Sequence, residues 1–174
     1  MTRAALILAA GALAVLALGS GGSASTIAPC RGSQLSGTFR VVPGSAGAGN
    51  IVYDLKLRNR SKVTCFVSGL AGLRLLGRTG RALPTHVRPT FRGEPTAVRV
   101  VLRPGAAAHA NARFSPDVPG VGEPVSGKQC EPTAYRVRVM PPPGGSTLVA
   151  PVTPPTPVCE HGGMSLNVLS ASAP

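Results

Sequence analysis

A chain of 174 residues with 18 lysines and arginines against six acids carries a formal net charge of +12, and only 3% of it is aromatic. Six carboxylates (Asp54, Glu94, Asp117, Glu123, Glu131 and Glu160) leave little material for a paired-carboxylate glycosidase. With no tryptophan, four phenylalanines and two tyrosines, the chain is poorly equipped to stack bases or sugars. Fifteen of the basic residues are arginine, in a chain rich in Ala, Gly and Pro, a bias that GC-rich codons also produce. The resulting field attracts polyanions in general and specifies none.

The first residues read as an address. Arg3 precedes an unbroken apolar run from Ala4 to Leu18, and small residues follow to Ser25. That three-part pattern is a secretory signal peptide, residues 1–28, with cleavage after Ala24 or Ala28. The run is shorter than the roughly 20 residues a membrane-spanning helix needs, and no other stretch is long enough, so no membrane span is expected in the mature chain. Pro29 before Cys30, a dozen residues past the apolar run, argues against lipidation of that cysteine. Residues 29–174 then form a single exported domain at the cell envelope or beyond it.

That domain holds four cysteines, Cys30, Cys65, Cys130 and Cys159, an even count that suggests two disulfides outside the cytosol. The sequential pairing, Cys30–Cys65 and Cys130–Cys159, ties the first strand to the third and a late loop to the closing strand. Only Cys159-Glu160-His161 has the close spacing of metal ligands, and the disulfide is the better use of Cys159.

Along the chain, Leu35–Val42 is a candidate first strand, and glycines from Gly44 to Gly49 make a turn. In Asn50–Gly69 the alternation of Tyr53, Leu55 and Leu57 with Asp54, Lys56 and Arg58 marks a half-buried strand. Asn59-Arg60-Ser61-Lys62 turns it, and Val63–Val67 returns as a second strand. Leu70–Leu76 is a fourth. Residues 84–96, with Pro84, Pro89 and Pro95, read as a long surface loop. Ala97–Arg103 alternates again. Ala108, Ala110, Ala112 and Phe114 share one face of a run that alternation and flanking prolines mark as strand, despite alanine's helix propensity. Residues 115–132 form a second long loop, Tyr135–Val139 is a clean strand, the proline-rich 150–158 segment leads to Cys159, and Met164–Leu169 closes the chain.

The expected fold is therefore all-β, an antiparallel two-sheet Ig-like sandwich of about seven to nine short strands. Its predicted core is Tyr53, Leu55, Leu57, Val98, Val100, Leu102, Phe114, Tyr135, Val137, Val139, Leu166 and Val168. The opposite phase turns Lys56, Arg58, Arg99, Arg103, Arg136 and Arg138 outward as a possible polyanion face.

Order and spacing add a resemblance. Cys30 near the mature start, Asn59 and Cys65 after a strand, Arg103-Pro104-Gly105 before an alanine-rich strand, Cys130 before Tyr135-Arg136-Val137, and Cys159 before a Leu-x-Val strand follow one another in this chain. Over about residues 30–170 it thus resembles the actinobacterial domain-of-unknown-function family 4232. The resemblance implies an exported or lipid-anchored β-sandwich and brings no catalytic residue and no ligand. The chain departs from the family pattern in lacking tryptophan, most noticeably where Phe114 ends the alanine-rich strand.

Chemistry-bearing motifs are sparse. Ser115, His109 and Asp117 are the set to consider for a nucleophile, base and orienting acid, and no Gly-x-Ser-x-Gly elbow accompanies them. Asn59-Arg60-Ser61 matches a glycosylation acceptor by chance in a chain of bacterial appearance. The Gly44–Gly49 segment lacks the Gly-Lys-Ser/Thr of a phosphate loop. The expected function is a non-enzymatic, envelope-associated binding or structural module without cofactor or metal. Its partners are envelope polyanions or another envelope protein, with no specific nucleic acid. The alternative is an envelope hydrolase or accessory factor with its site in loops 84–96 and 115–131.

Overall fold

The computed structural model describes residues 26–91, 93, 98–124 and 129–172. The signal-peptide reading falls almost wholly outside these residues, as do Glu94 and Ala97. The strands are β1 (Leu35–Val41), β2 (Ile51–Asn59), β3 (Cys65–Ser68), β4 (Gly72–Leu76), β5 (His86–Pro89), β6 (Arg99–Leu102), β7 (Ala107–Phe114), β8 (Ala134–Met140), β9 (Leu148–Thr156) and β10 (Gly163–Leu166). The only helical elements among the described residues are two single turns, Gly32–Gln34 and Cys159–Gly162.

β2 lies at the centre because both its edges find long partners. It pairs antiparallel with β1 along Tyr53–Asn59, and antiparallel with β7 along Ile51–Arg58. Its period-2 pattern sends Tyr53, Leu55, Leu57 and Asn59 inward and leaves Lys56 and Arg58 in water. Alanines at 108, 110 and 112 of β7 face the same interior and are fully or almost fully buried. Their small size lets the sheet curl around the three large rings. Tyr53 packs tilted against Phe39 and Phe114 with centroids 5.1 and 5.2 Å away, and those two rings stack 6.5 Å apart. The Tyr53 hydroxyl escapes its apolar surroundings by donating to the Pro154 carbonyl at 2.8 Å. Burial raises its pKa.

Eight strands form one sheet in the order β4-β8-β9-β1-β2-β7-β10-β5, and β3 pairs with β6 in a second. The large sheet nearly closes, since its edge strands β4 and β5 are consecutive in the chain. The link between them folds back on β4 through a Leu76–Ala82 bridge and a 2.9 Å bond from Leu83 N to the Leu75 carbonyl. The small sheet caps the same interior with Cys65, Val67, Val100 and Leu102, all buried in one cluster with the large sheet's residues. Disulfides Cys30–Cys65 and Cys130–Cys159 fix the N-terminal segment to β3 and the 115–132 loop to the turn before β10.

The all-β, two-sheet expectation holds in outline, with corrections. The described residues form ten strands, divided eight and two, and the large sheet is mixed: β1 runs parallel to β9, and β10 to β5. The proline-rich 150–158 segment belongs largely to a central strand. β9 tolerates Pro151, Pro154 and Pro155 because it changes partners along its length. It pairs with β8 over Leu148–Pro151, meets β1 at Val152 and Thr153, and returns to β8 only at Thr156. Pro154 and Pro155 therefore fall where the ladder is interrupted, and Pro151 stands at the last β8 pair before the interruption. Within 84–96, His86–Pro89 is an edge strand, the position that accommodates a proline.

Three predicted core residues are not in the core. Val98 is 64% exposed because the strand begins one residue later, at Arg99. Tyr135 is half-buried; the β8–β9 register shifts between Ala134 and Arg136, and Ala134 takes the inward place. Val168 follows the end of the ladder at Leu166, and Leu169 is buried instead.

Asn59 joins the two sheets. It is fully buried, and its amide nitrogen donates to the carbonyls of Val63 (2.8 Å) and Leu102 (2.9 Å). Its amide oxygen accepts from the Ser61 N–H and hydroxyl. An amide so used has no atom free for a glycan. Asn59→Asp keeps the acceptor and turns a carboxylate onto two carbonyl oxygens. Urea denaturation is expected to show a loss of roughly 1–3 kcal/mol, the cost of leaving the buried Leu102 carbonyl bare, and Asn59→Ala should lose at least as much.

Candidate functional site

Strand alternation puts one row of cations outside the large sheet. Arg74 of β4 is directly opposite Arg138 of β8, and both are exposed. Arg138 faces Val149 of β9; counting back from the Arg40–Thr153 pair brings Ser36 of β1 alongside, and Ser36 faces Arg58 of β2. Arg136 and Lys56 occupy the next row, and Arg40 the one after. Among the described residues no lysine or arginine lies within 4.0 Å of a carboxylate; the ion pairs present all use histidine. Of the residues expected on a basic face, Lys56, Arg58, Arg136 and Arg138 share this surface. Arg99 and Arg103 sit on and beside β6 of the other sheet. Arg99 stacks over Phe66 at 4.0 Å and donates to the Ile27 carbonyl at 2.8 Å. Sequence reasoning missed Arg74, although its position between Leu73 and Leu75 carried the signal.

The serine, histidine and acid do not assemble. His109 Nδ1 lies 3.0 Å from Asp54 Oδ2 across the β7–β2 ladder, and the pair is largely shielded from solvent. Ser115 is six residues further on, about 20 Å along an extended chain. Its hydroxyl donates to the Val118 carbonyl and accepts from the Val118 N–H. Asp117 is exposed on the loop beyond.

A second constellation forms where the two long loops do meet. At Cys159–Gly162 the chain makes a left-handed turn: Glu160 and His161 both have φ of 56°, and Gly162 has φ of 78°. Two residues with side chains in this region are strained, and something must hold them. Glu123 does so. Its Oε2 accepts from Gly120 N at 2.6 Å and Glu160 N at 2.9 Å, and its Oε1 accepts from His161 N. Successive N–H groups of a left-handed turn form a concave anion site, and here the anion is the chain's own carboxylate. A side chain on Gly162 would collide with the Pro84 carbonyl, 2.1 Å from an ideal Cβ, so the turn packs directly on the start of the 84–96 loop.

Glu131 and the His161 ring complete the cluster. His161 Nδ1 is 3.7 Å from Glu123 Oε1 and 3.8 Å from Glu131 Oε1. Burial works to raise the Glu123 pKa, but the N–H groups of His161, Gly120 and Glu160, with the His161 charge, outweigh it and hold the carboxyl below its usual value. Glu131 moves up, through burial first and then the charge and hydrogen bonding of Glu123, with His161 partly opposing. Glu131 also lines an open groove of about 700 Å³ with Arg78, Arg81, Gln129 and Tyr135. There Arg78 stacks on the Tyr135 ring and donates to its hydroxyl at 2.6 Å. In the sequence Glu123 and Glu131 belong to no motif, and His161 has close-spaced partners only in Cys159 and Glu160. The signal was the Cys130–Cys159 pairing, which brings residue 131 beside residue 161.

Replacing Glu123 by Gln keeps the shape and removes the charge that the turn binds. The loss expected at neutral pH is roughly 1.5–3 kcal/mol, the range for hydrogen bonds to a charged group. A lowered folded-state pKa stabilises above the unfolded carboxylate value and ceases to do so as pH falls through the folded one. The gap between wild type and Glu123→Gln in denaturant titrations should therefore narrow in acid.

Comparison with known proteins adds one relation. No curated protein and no solved structure matches the chain. The family model described as a domain of unknown function, DUF4232, matches residues 30–170, from the first cysteine of the Cys30–Cys65 bridge to just beyond β10. With most of its length covered, the chain belongs to the DUF4232 family.

Proposed function

We propose that the protein is an exported, non-enzymatic Ig-like module that binds acidic envelope polymers on the arginine-bearing outer face of its large sheet. The observation that carries this reading is the Arg74–Arg138 pair. Like charges directly opposite one another on neighbouring strands repel. These two are exposed, have no carboxylate within 4.0 Å, and are joined by Arg58 further along the same row and by Arg136 and Lys56 in the next. An anionic polymer lying across the row relieves that repulsion and releases counterions as it binds. Export is supported by the sequence of residues 1–28 and by two disulfides, which persist in oxidising compartments. The Ig-like reading rests on strand order: β4-β8-β9 is arranged as a C-F-G sheet and β2-β7 as part of its partner, with β1 bonded to both.

Titration of the protein with a phosphate-linked wall polymer at about 50 and 200 mM salt is the test. Binding should be present at the lower salt and fall steeply at the higher. The double variant Arg74→Glu/Arg138→Glu should bind at least about tenfold more weakly, with stability changed by no more than about 0.5 kcal/mol, as for surface substitutions. Salt-indifferent binding, or a double variant that binds as well as wild type, would leave the arginines as solubilising surface.

The site of cleavage follows from the same reading. Ala28 O accepts from Phe66 N at 3.1 Å beside a Pro29–Phe66 bridge, and Ile27 O accepts from the Arg99 side chain, so residues 27 and 28 both bond to the small sheet. N-terminal sequencing of the exported protein should start at Ser25. A start at Pro29 would mean that the small sheet forms without these contacts.

A further inference from the structure

We propose that Glu123, Glu131 and His161 form a binding site for a divalent transition-metal ion of the zinc class. One ligand atom from each, two carboxylate oxygens and an imidazole nitrogen, lies within 4.8 Å of the others. Ligand bonds of about 2.0–2.1 Å put the ligands of a tetrahedral zinc roughly 3.4 Å apart. The 3.7 and 3.8 Å separations around His161 Nδ1 need only a few tenths of an ångström of closure.

The ring's orientation assigns its electron pair. His161 Nε2 is 3.0 Å from the Val121 carbonyl, which can only accept, so Nε2 carries a hydrogen, and whenever the ring is neutral Nδ1 presents a lone pair. That lone pair faces two carboxylate oxygens at distances too long for hydrogen bonds. A histidine that anchors one nitrogen on a backbone carbonyl and points the other at carboxylates has the arrangement of a metal ligand with its outer support in place.

Glu123 is fixed by three backbone N–H groups and keeps a lone pair on Oε1, which takes only the His161 N–H. Glu131 is held close by the adjacent Cys130–Cys159 disulfide, and its side chain is 14% exposed. The His161 ring is 56% exposed, so an ion can enter and keep solvent in its remaining positions. Calcium and magnesium take oxygen ligands, whereas one imidazole with two carboxylates suits zinc and its neighbours. The two sulfurs nearby are joined to each other and are not ligands.

The test uses the full chain with its disulfides intact, stripped by a chelator and titrated calorimetrically with zinc. Cobalt absorption serves as a second readout. Wild type should take up one zinc per chain. Glu131→Gln and His161→Gly should each bind at least about tenfold more weakly, the scale on which changes around a metal site act, while His86→Gln binds as wild type. Glycine at 161 accepts the φ of 56° without strain, so this variant loses the ligand and keeps the turn. Melting curves of both metal-free variants should match wild type closely. If one variant fails to fold, the other decides. Absence of zinc uptake by folded wild type, unchanged affinity in the folded variants, or displacement of zinc by equimolar calcium would each overturn the site.

Discussion

The structure depends on what the inward face of β2 must do. Tyr53, Leu55 and Leu57 have to leave water, and the next inward position is a polar residue, Asn59. A buried amide is tolerated only if all its hydrogen-bonding capacity is used. Asn59 meets that demand by reaching the carbonyl of Leu102 at the end of β6 and that of Val63 just before β3. Hydrophobic alternation thus sets the register of the large sheet, while one amide fixes where the small sheet sits on it. A one-residue slip would place Lys56 and Arg58 inside and Asn59 outside, removing both at once.

Once the large sheet curls, its charges are sorted by radius. Alternation keeps the arginines outside, where they are solvated. Three of the six acids, Glu123, Glu131 and Glu160, gather instead at the end where the 115–132 loop meets the turn before β10. The sorting has a backbone cause. A left-handed turn of three residues exposes N–H groups that no strand partner can reach, and only an anion satisfies several at once. Arginine cannot serve there, because it has no acceptor. The basic surface and the acidic turn are consequences of different parts of the backbone and do not compete for the same residues.

Much of this was legible in the sequence because it is local. Period-2 alternation located β1, β2, β7 and β8 nearly to the residue, and a strand won over a helix in the alanine run because Phe114 and the alanines shared a phase. What escaped was set by distant partners. The prolines of β9 spoke against a central strand, and nothing in residues 148–156 alone reveals that the strand exchanges β8 for β1 where its N–H groups are missing. β5 was hidden for the same reason at the sheet edge. Tyr135 and Val168 sat on the correct phase of strands whose ladders shift or stop, and phase alone does not report that. The cluster of Glu123, Glu131 and His161 needs segments 38 residues apart to meet.

Composition could not have separated a binding surface from a codon bias, since arginines scattered along the chain look the same in either case. Register is what the proposed reading adds to composition. Arg74 and Arg138 come from strands 64 positions apart and are set face to face by the β4–β8 ladder. An arginine placed only for solubility gains nothing from a like-charged neighbour at that position, and a carboxylate on either strand would have stabilised the pair. The same register argument sets Arg99 apart. Its guanidinium lies over the Phe66 ring and donates to the Ile27 carbonyl, so it braces the small sheet while keeping its charge. A count of basic residues does not tell these placements apart; the ladders put Arg74 and Arg138 face to face on the large sheet and Arg99 on the small one.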